Sequence, residues 1–451
     1  MLNRRTFLRG AIAAPALAAI APRPNVVLIL ADDLGYGDLS SYGCTDIRTP
    51  NIDSIGRQGM RFLQCYANAP ECTPTRTALL TGRYQHRVGG LECAIGISDV
   101  GRYDEAEWLQ KRGELGLPVS ETCLARVLKQ HGYDTACIGK WHLGYPEKFW
   151  PNRHGFDEFF GILGGSVDYF THKEPDGVPR LYRNTKKVDR AGYMTDLIAE
   201  EANAWLKSRS SAKPFFLYIP FTAPHLPSQG PGDADSPRDA NTWNRGDRAT
   251  YIKMVERLDD GVGSILAQLD RMGAAANTLL IFVSDNGGTA IGRNSPLRGN
   301  KSQVWEGGIR EPCMIRWPGV VPQGKTTTQP IITMDFFPTI LSAVGIAPPP
   351  ARKLDGVDLV PFLRGQQPPF ARTLFWRYKR GTNVRKAVRD GDMKLVSDNG
   401  KEELHNLAED EGERKNLLPQ AESVAMRLRA KLEEWEREVA APRLRDFPAG
   451  H

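Results

Sequence analysis

The chain predicts an α/β fold: a large, mainly parallel mixed sheet flanked by helices, followed by a smaller C-terminal α+β subdomain of antiparallel sheet plus helix. Three observations predict it. Continuous apolar runs of strand length occur at 25–31, 215–219 and 279–284, the pattern of strands buried on both faces. Helical patterns at 120–131, 194–209 and 249–272 lie between them, an alternation that suits a parallel sheet. Beyond residue 367 the pattern changes to short strands at 373–378, 384–388, 393–396 and 402–404, separated by polar turns. One amphipathic helix follows at 420–439, with Leu428, Leu432 and Trp435 on its apolar stripe.

Taken in order, residues 1–21 stand outside the fold. Arg4-Arg5-Thr6-Phe7-Leu8 and the short apolar run 11–21 read as a twin-arginine export signal, which makes the twin-arginine export machinery a partner. Cleavage after Ala18 is favoured over Ala21, which would leave Pro22 beside the cut. The run is too short to anchor stably in a bilayer, so a periplasmic or secreted protein is expected. Residues 22–367 form the catalytic α/β domain, with the Pro- and Gly-rich stretch 345–367 as a linker, and 368–451 the C-terminal subdomain.

Composition is that of an ordinary globular protein of 451 residues, 41% hydrophobic and 25% charged. The net charge of +6 is small for this length and gives no basis for nucleic acid as a partner. Seven cysteines without a Cys-x-x-Cys pair argue against zinc or an iron–sulfur cluster. An odd number in an exported protein leaves at least one unpaired, and Cys72 is the natural candidate.

Polar residues past the carboxyl ends of parallel strands are where ligands sit. Here those ends carry Asp32-Asp33, Asp285-Asn286 and, after the 215–219 run, Pro224-His225. All-oxygen donors suit Ca²⁺, with Mg²⁺ as the alternative, rather than zinc. Gly35 and Gly37 allow the backbone to fold tightly beside such an ion. Cys72-Thr73-Pro74-Thr75-Arg76 prepares an anion site: a helix over 75–81 is expected, with Pro74 in its first turn and Gly82 at its end. In Gly139-Lys140-Trp141-His142-Leu143-Gly144 an extended segment would put Lys140 and His142 on one side. Leu297-Arg298-Gly299-Asn300-Lys301 offers a further lysine.

Together, Asp-Asp, Cys-x-Pro-x-Arg, Gly-Lys-Trp-His-Leu-Gly, Pro-His, Asp-Asn-Gly-Gly and Arg-Gly-x-Lys, in this order, resemble the sulfatase family over 23–418. Trp305-Glu306-Gly307-Gly308-Ile309-Arg310-Glu311-Pro312 adds to the likeness. The resemblance implies that Asp32, Asp33, Asp285 and Asn286 bind a divalent cation, most often Ca²⁺, faced also by Cys72. It implies that a formylglycine-generating maturation enzyme oxidises Cys72 to formylglycine, whose hydrate is the nucleophile. Arg76, Lys140 and Lys301 would neutralise the sulfuryl oxygens, and His225 with Lys301 would protonate the leaving alcohol. His142 would help remove the proton from the second hydroxyl, expelling sulfate. The substrate class implied is a sulfate monoester, with sulfated carbohydrates as the analogy suggests. A phosphonate monoester or phosphodiester hydrolase on the same fold is the runner-up, and a non-catalytic sulfated-glycan-binding relative a third possibility. Segments 92–108, 168–172 and 229–244 are expected to line the leaving-group pocket.

Overall fold

The apolar run 25–31 forms β1 (Asn25–Ala31), and its alternation assigns it two buried faces. Val26, Leu28 and Leu30 join one hydrophobic cluster, while Val27, Ile29 and Ala31 join the other. In the computed structural model, residues 23–96, 103–210, 213–350 and 352–448 are described; the export signal expected over 1–21 lies outside the described residues.

Around β1 stand β2 (Met60–Tyr66), β3 (Asp134–Lys140), β4 (Glu158–Ile162), β5 (Leu181–Arg183), β6 (Lys186–Lys187) and β7 (Phe215–Pro220). The sheet continues with β8 (Thr278–Ser284), β9 (Arg310–Arg316), β10 (Lys325–Thr327) and β11 (Ile331–Ile332). Their order is β10-β2-β9-β8-β1-β7-β3-β4-β5-β6, with β11 on β2. The stretch β8-β1-β7-β3-β4 is parallel, whereas β9 runs antiparallel to both β8 and β2. The sheet is therefore mixed and parallel at its centre, as expected.

Helices Met194–Lys207 and Arg248–Arg271 cover the Val27 face through Met194, Ile198, Tyr251 and Leu258. Helices Cys72–Thr81, Leu124–Gln130 and Phe336–Ala343 cover the other. The C-terminal strands β12 (Thr373–Arg380), β13 (Asn383–Asp390), β14 (Met393–Asp398) and β15 (Lys401–Asn406) pair antiparallel in sequence order. Helix Glu422–Glu438 lies on them, its Trp435 stacked on Phe375 at 5.3 Å and edge-on to Tyr84 of the main body at 5.1 Å.

The described residues of 345–367, a stretch expected as a linker, pack against the body of the large sheet instead. The amides of Asp355 and Gly356 donate to the Gly82 carbonyl, and Leu359 and Leu363 are wholly buried. Its apolar residues outweigh its Pro and Gly content, so one hydrophobic cluster runs unbroken from the large sheet to Trp376 and Trp435. All seven cysteines are buried. No described helix is long and apolar enough to cross a membrane.

Candidate active site

Because β1, β7, β3 and β8 are parallel, the residues that follow them or end them share one edge of the sheet. Asp32 and Asp33 follow β1, Asp285 and Asn286 follow β8, Lys140 ends β3, and His225 lies just beyond β7. Backbone bonds lock the edge: the Asp32 amide donates to the Ala223 carbonyl and the Asp285 amide to that of Ala31, both at 3.1 Å. Asp33 is left-handed (φ 65°), which turns the chain sharply after the strand. A Cβ on Gly35 would lie 2.6 Å from the Arg293 carbonyl oxygen, so this turn requires glycine. Asp32, Asp33 and Asp285 each bring an oxygen within 4.8 Å of the others, and Asp32, Cys72 and His225 converge in the same way.

Three buried carboxylates this close repel one another, and buried cations offset them. Lys140 Nζ donates to Asp32 at 2.6 Å, and Arg76 donates to Asp285 Oδ2 through Nη2 at 2.8 Å and Nε at 2.9 Å. Arg76 also donates to the Lys140 carbonyl at 2.8 Å. Burial raises the Asp33 carboxyl, but Lys301, His225 and Lys140 outweigh it and hold it well below the usual range. Burial, then Asp32, pushes Asp285 up to about 6 against the pull of Arg76. Asp32 Oδ1 and Asn286 Oδ1 are buried without a hydrogen-bond partner. Two orphaned hard oxygens beside two further carboxylates are the donor set a Ca²⁺- or Mg²⁺-sized ion takes.

Cys72 begins the helix Cys72–Thr81, three residues before the expected start at Thr75. The first-turn amides need no intrahelical partner, so Pro74 costs nothing there and the helix extends upstream of it. Gly82 closes the helix in the left-handed region (φ 69°), its amide donating to the Ala78 carbonyl at 2.8 Å. Cys72 lies at a cavity of about 560 Å³, lined also by Asp33, His142, His225 and Lys301. Arg76 and Lys140, both wholly buried, stand behind the carboxylates rather than in the cavity wall.

The expected extended geometry of 139–144 is not kept. The strand ends at Lys140 and His142 is left-handed (φ 58°), so Lys140 points beneath Asp32 while His142 turns to the cavity. The left-handed backbone breaks the alternation on which the expectation rested. His142 Nε2 donates to the Ile95 carbonyl at 2.6 Å, and burial followed by Lys140 pushes its pKa well down. His225 Nδ1 lies 2.6 Å from the Leu226 carbonyl, which can only accept, so Nδ1 carries the hydrogen. The Nε2 lone pair then faces Lys301 Nζ at 3.0 Å. Burial, then Lys301, lowers the His225 pKa.

Of the segments expected to line the cavity, 94–96 and 243–244 do so, while 97–102 lies outside the described residues. Segment 168–172 does not. The Asp168 carboxylate is spent on the amides of Phe170 and Thr171 and on Gln229 Nε2, which shapes its own loop. The sequence reading missed Glu71, Tyr145, Glu174 and Arg380, which also line the cavity. Arg380 arrives from the C-terminal sheet, and no local pattern marks it. Glu71, directly before Cys72, carried a signal: an acid next to a candidate nucleophile.

Residues 24–346 match the sulfatase family, and residues 299–438 match the C-terminal family of N-sulphoglucosamine sulphohydrolase. N-acetylgalactosamine-6-sulfatase of Canis lupus familiaris is 36% identical over 370 residues, covering 78% of this chain and 68% of that protein. Steryl-sulfatase of Mus musculus is 34% identical, covering 78% of this chain and 67% of that one. The crystal structure of Ps i-CgsB in complex with k-i-k-neocarrahexaose superposes with a TM-score of 0.81 at 31% identity, over 92% of this chain and 93% of that one. With the family match spanning the whole mixed sheet up to residue 346, and similar proteins sharing a third of its residues, this chain belongs to the sulfatase family of sulfuric ester hydrolases, within the alkaline phosphatase superfamily.

Proposed function

We propose that the chain is an exported enzyme that hydrolyses sulfate monoesters of carbohydrates, with Cys72 acting as formylglycine beside a bound Ca²⁺. The observation that carries this reading is the convergence of Asp32, Cys72 and His225 at one point, next to the triad of carboxylates. Carbohydrates as substrates rest on the names of similar proteins, one an N-acetylgalactosamine-6-sulfatase and one crystallised with a neocarrahexaose.

Asp32, Asp33, Asp285 and the Asn286 side-chain oxygen would hold the cation. When bound, the cation would polarise a sulfate oxygen, and the formylglycine hydrate would supply a hydroxyl that is easier to ionise beside it. The protein's own groups do the rest. Lys301, a cation of the cavity wall, faces the sulfuryl group, while Arg76 and Lys140 hold the carboxylates in place and offset their charge. Lys301 hands its proton to His225 Nε2 or directly to the departing oxygen, since these two atoms already share a hydrogen bond. His142, kept neutral by burial, is free to accept a proton at Nδ1, which has no other partner. Cys72 itself is only 1% exposed at the cavity, so a substrate must enter the cleft to meet it.

Side-by-side assays of an aryl sulfate and an aryl phosphate, with and without chelator, test this reading. Sulfate hydrolysis that chelator suppresses is expected, with formylglycine found by mass spectrometry on the peptide containing Cys72. Preferential phosphate hydrolysis, or full activity with an unmodified thiol, would overturn it.

A further inference from the structure

Glu71 stands at the position just before the Cys72–Thr81 helix, where a side chain ordinarily caps the first free amides, yet its carboxylate makes no capping bond. It turns the other way. Glu71 Oε1 accepts from Ser302 Oγ at 2.6 Å, from Tyr378 OH at 2.9 Å and from Arg380 Nη1 at 3.2 Å. Oε2 accepts from the Ala94 amide at 2.7 Å and also from Arg380 Nη1 at 3.2 Å. The residue is 1% exposed, so these are the contacts that compensate its burial.

Each partner leads to a working group. Ser302 follows Lys301, is left-handed (φ 70°), and donates its amide to the Pro70 carbonyl at 2.9 Å. Arg385 of the C-terminal sheet donates to the Ser302 carbonyl at 2.6 Å. Ala94 precedes Ile95, whose carbonyl accepts from His142 and whose amide donates to Thr73 Oγ1 at 3.2 Å. Tyr378 and Arg380 come from β12.

We propose that Glu71 is a positioning residue, through which the C-terminal sheet sets Cys72, Lys301 and His142 relative to one another. One carboxylate is bonded to the turn that carries Lys301, to the loop that orients His142 and to β12, and it is joined covalently to Cys72. Glu71 touches no reacting atom; it acts through the backbone it holds. The kinetic part of this inference rests on the sulfatase reading.

The test compares Glu71→Ala, Glu71→Gln and the double variant Tyr378→Phe/Arg380→Gln with the wild type, all as matured, metal-loaded protein. On an aryl sulfate, Glu71→Ala is expected to lower kcat about 10- to 100-fold with KM little changed, the size of effect that misplaced reacting groups produce. Glu71→Gln, which keeps an oxygen for Ser302 and Tyr378 but not for the Ala94 amide, should fall between. The double variant should resemble Glu71→Ala. Amide hydrogen exchange at Ala94 and Ser302 should quicken in Glu71→Ala while the sheet amides of β1 and β8 stay protected. A Glu71→Ala protein that is folded by that measure but keeps wild-type kcat and unchanged exchange would overturn the proposal. So would a kcat loss accompanied by general loss of protection, which marks a merely structural role. If the wild type itself turns over no sulfate ester, the sulfatase reading fails, and the exchange measurement alone decides whether Glu71 positions these loops.

Discussion

Lys301 Nζ lies 3.0 Å from His225 Nε2 and 2.8 Å from the Asp33 carboxylate, itself 3.6 Å from that imidazole nitrogen. The lysine holds the proton and the imidazole its lone pair, because burial and Lys301 depress His225 while Asp33 favours the charged lysine. In the proposed mechanism, acid for the leaving group would thus be a property of the pair.

From this follows a dependence on the leaving group. His225→Ala should lose far more rate on a sugar sulfate than on an activated aryl sulfate, because a sugar alkoxide needs a proton as the S–O bond breaks and a nitrophenolate does not. General acid catalysis contributes ~10²–10⁴-fold, so steady-state rates on the two substrates resolve the gap. Equal losses on both would shift the acid role to Lys301 alone. His142→Ala is expected to slow both substrates alike.

Asp285→Ala should abolish sulfate hydrolysis and lower the melting temperature. The reason is in the packing: Arg76, wholly buried, has Asp285 as its closest carboxylate partner. Without it Arg76 keeps only the Asp32 oxygen at 3.7 Å as a carboxylate partner, and breaking a buried pair costs up to about 3–5 kcal/mol. Thermal melts of Asp285→Ala and of Asp285→Asn, which keeps an acceptor for Arg76, separate this from metal loss. Equal stability of Asp285→Ala and wild type would contradict the arrangement.

Stability should fall in mild acid through His86. Its ring is wholly buried, with Nε2 donating to the Arg377 carbonyl at 2.9 Å and its plane edge-on to Trp435 at 4.8 Å. Burial, only partly countered by Glu92, pushes its pKa down to about 4. A folded pKa below the unfolded value of about 6.5 means the unfolded chain binds the extra proton first. The contribution is therefore complete above pH ~6.5 and is lost as pH falls towards ~4, about 3 kcal/mol in all. Melting temperature against pH should show that slope in the wild type and a shallower one in His86→Gln. An identical slope in both would exclude His86 as the cause.

The export signal proposed for residues 1–21 makes a cellular prediction. Replacing both Arg4 and Arg5 by lysine should leave active, uncleaved enzyme in the cytoplasm, since the twin-arginine route carries folded protein. Fractionation with an activity assay reads the outcome, and normal export of that variant would point to another route.

Much of this molecule is written locally. The runs 25–31, 215–219 and 279–284 suit strands buried on both faces, and their polar successors Asp32, Asp33, His225 and Asp285 fall at one edge because the strands are parallel. The Cys72 helix and its Gly82 stop were likewise legible, because capping and proline placement act within a turn. The core of the large sheet and its metal-ligand candidates were thus legible in the sequence.

Other features were decided only when distant segments met. Tyr378 and Glu71 are 307 positions apart, and nothing in either neighbourhood marks the contact. The roles of Arg76 and Lys140 behind the carboxylates, rather than in the cavity wall, depend on which buried acids crowd them, and that is a long-range electrostatic outcome. The docking of 345–367 and the turn of His142 out of its strand follow from packing across the sheet. Local sequence sets backbone preference over a few residues, but charge pairing and burial are set by whichever groups the whole fold brings within a few ångströms.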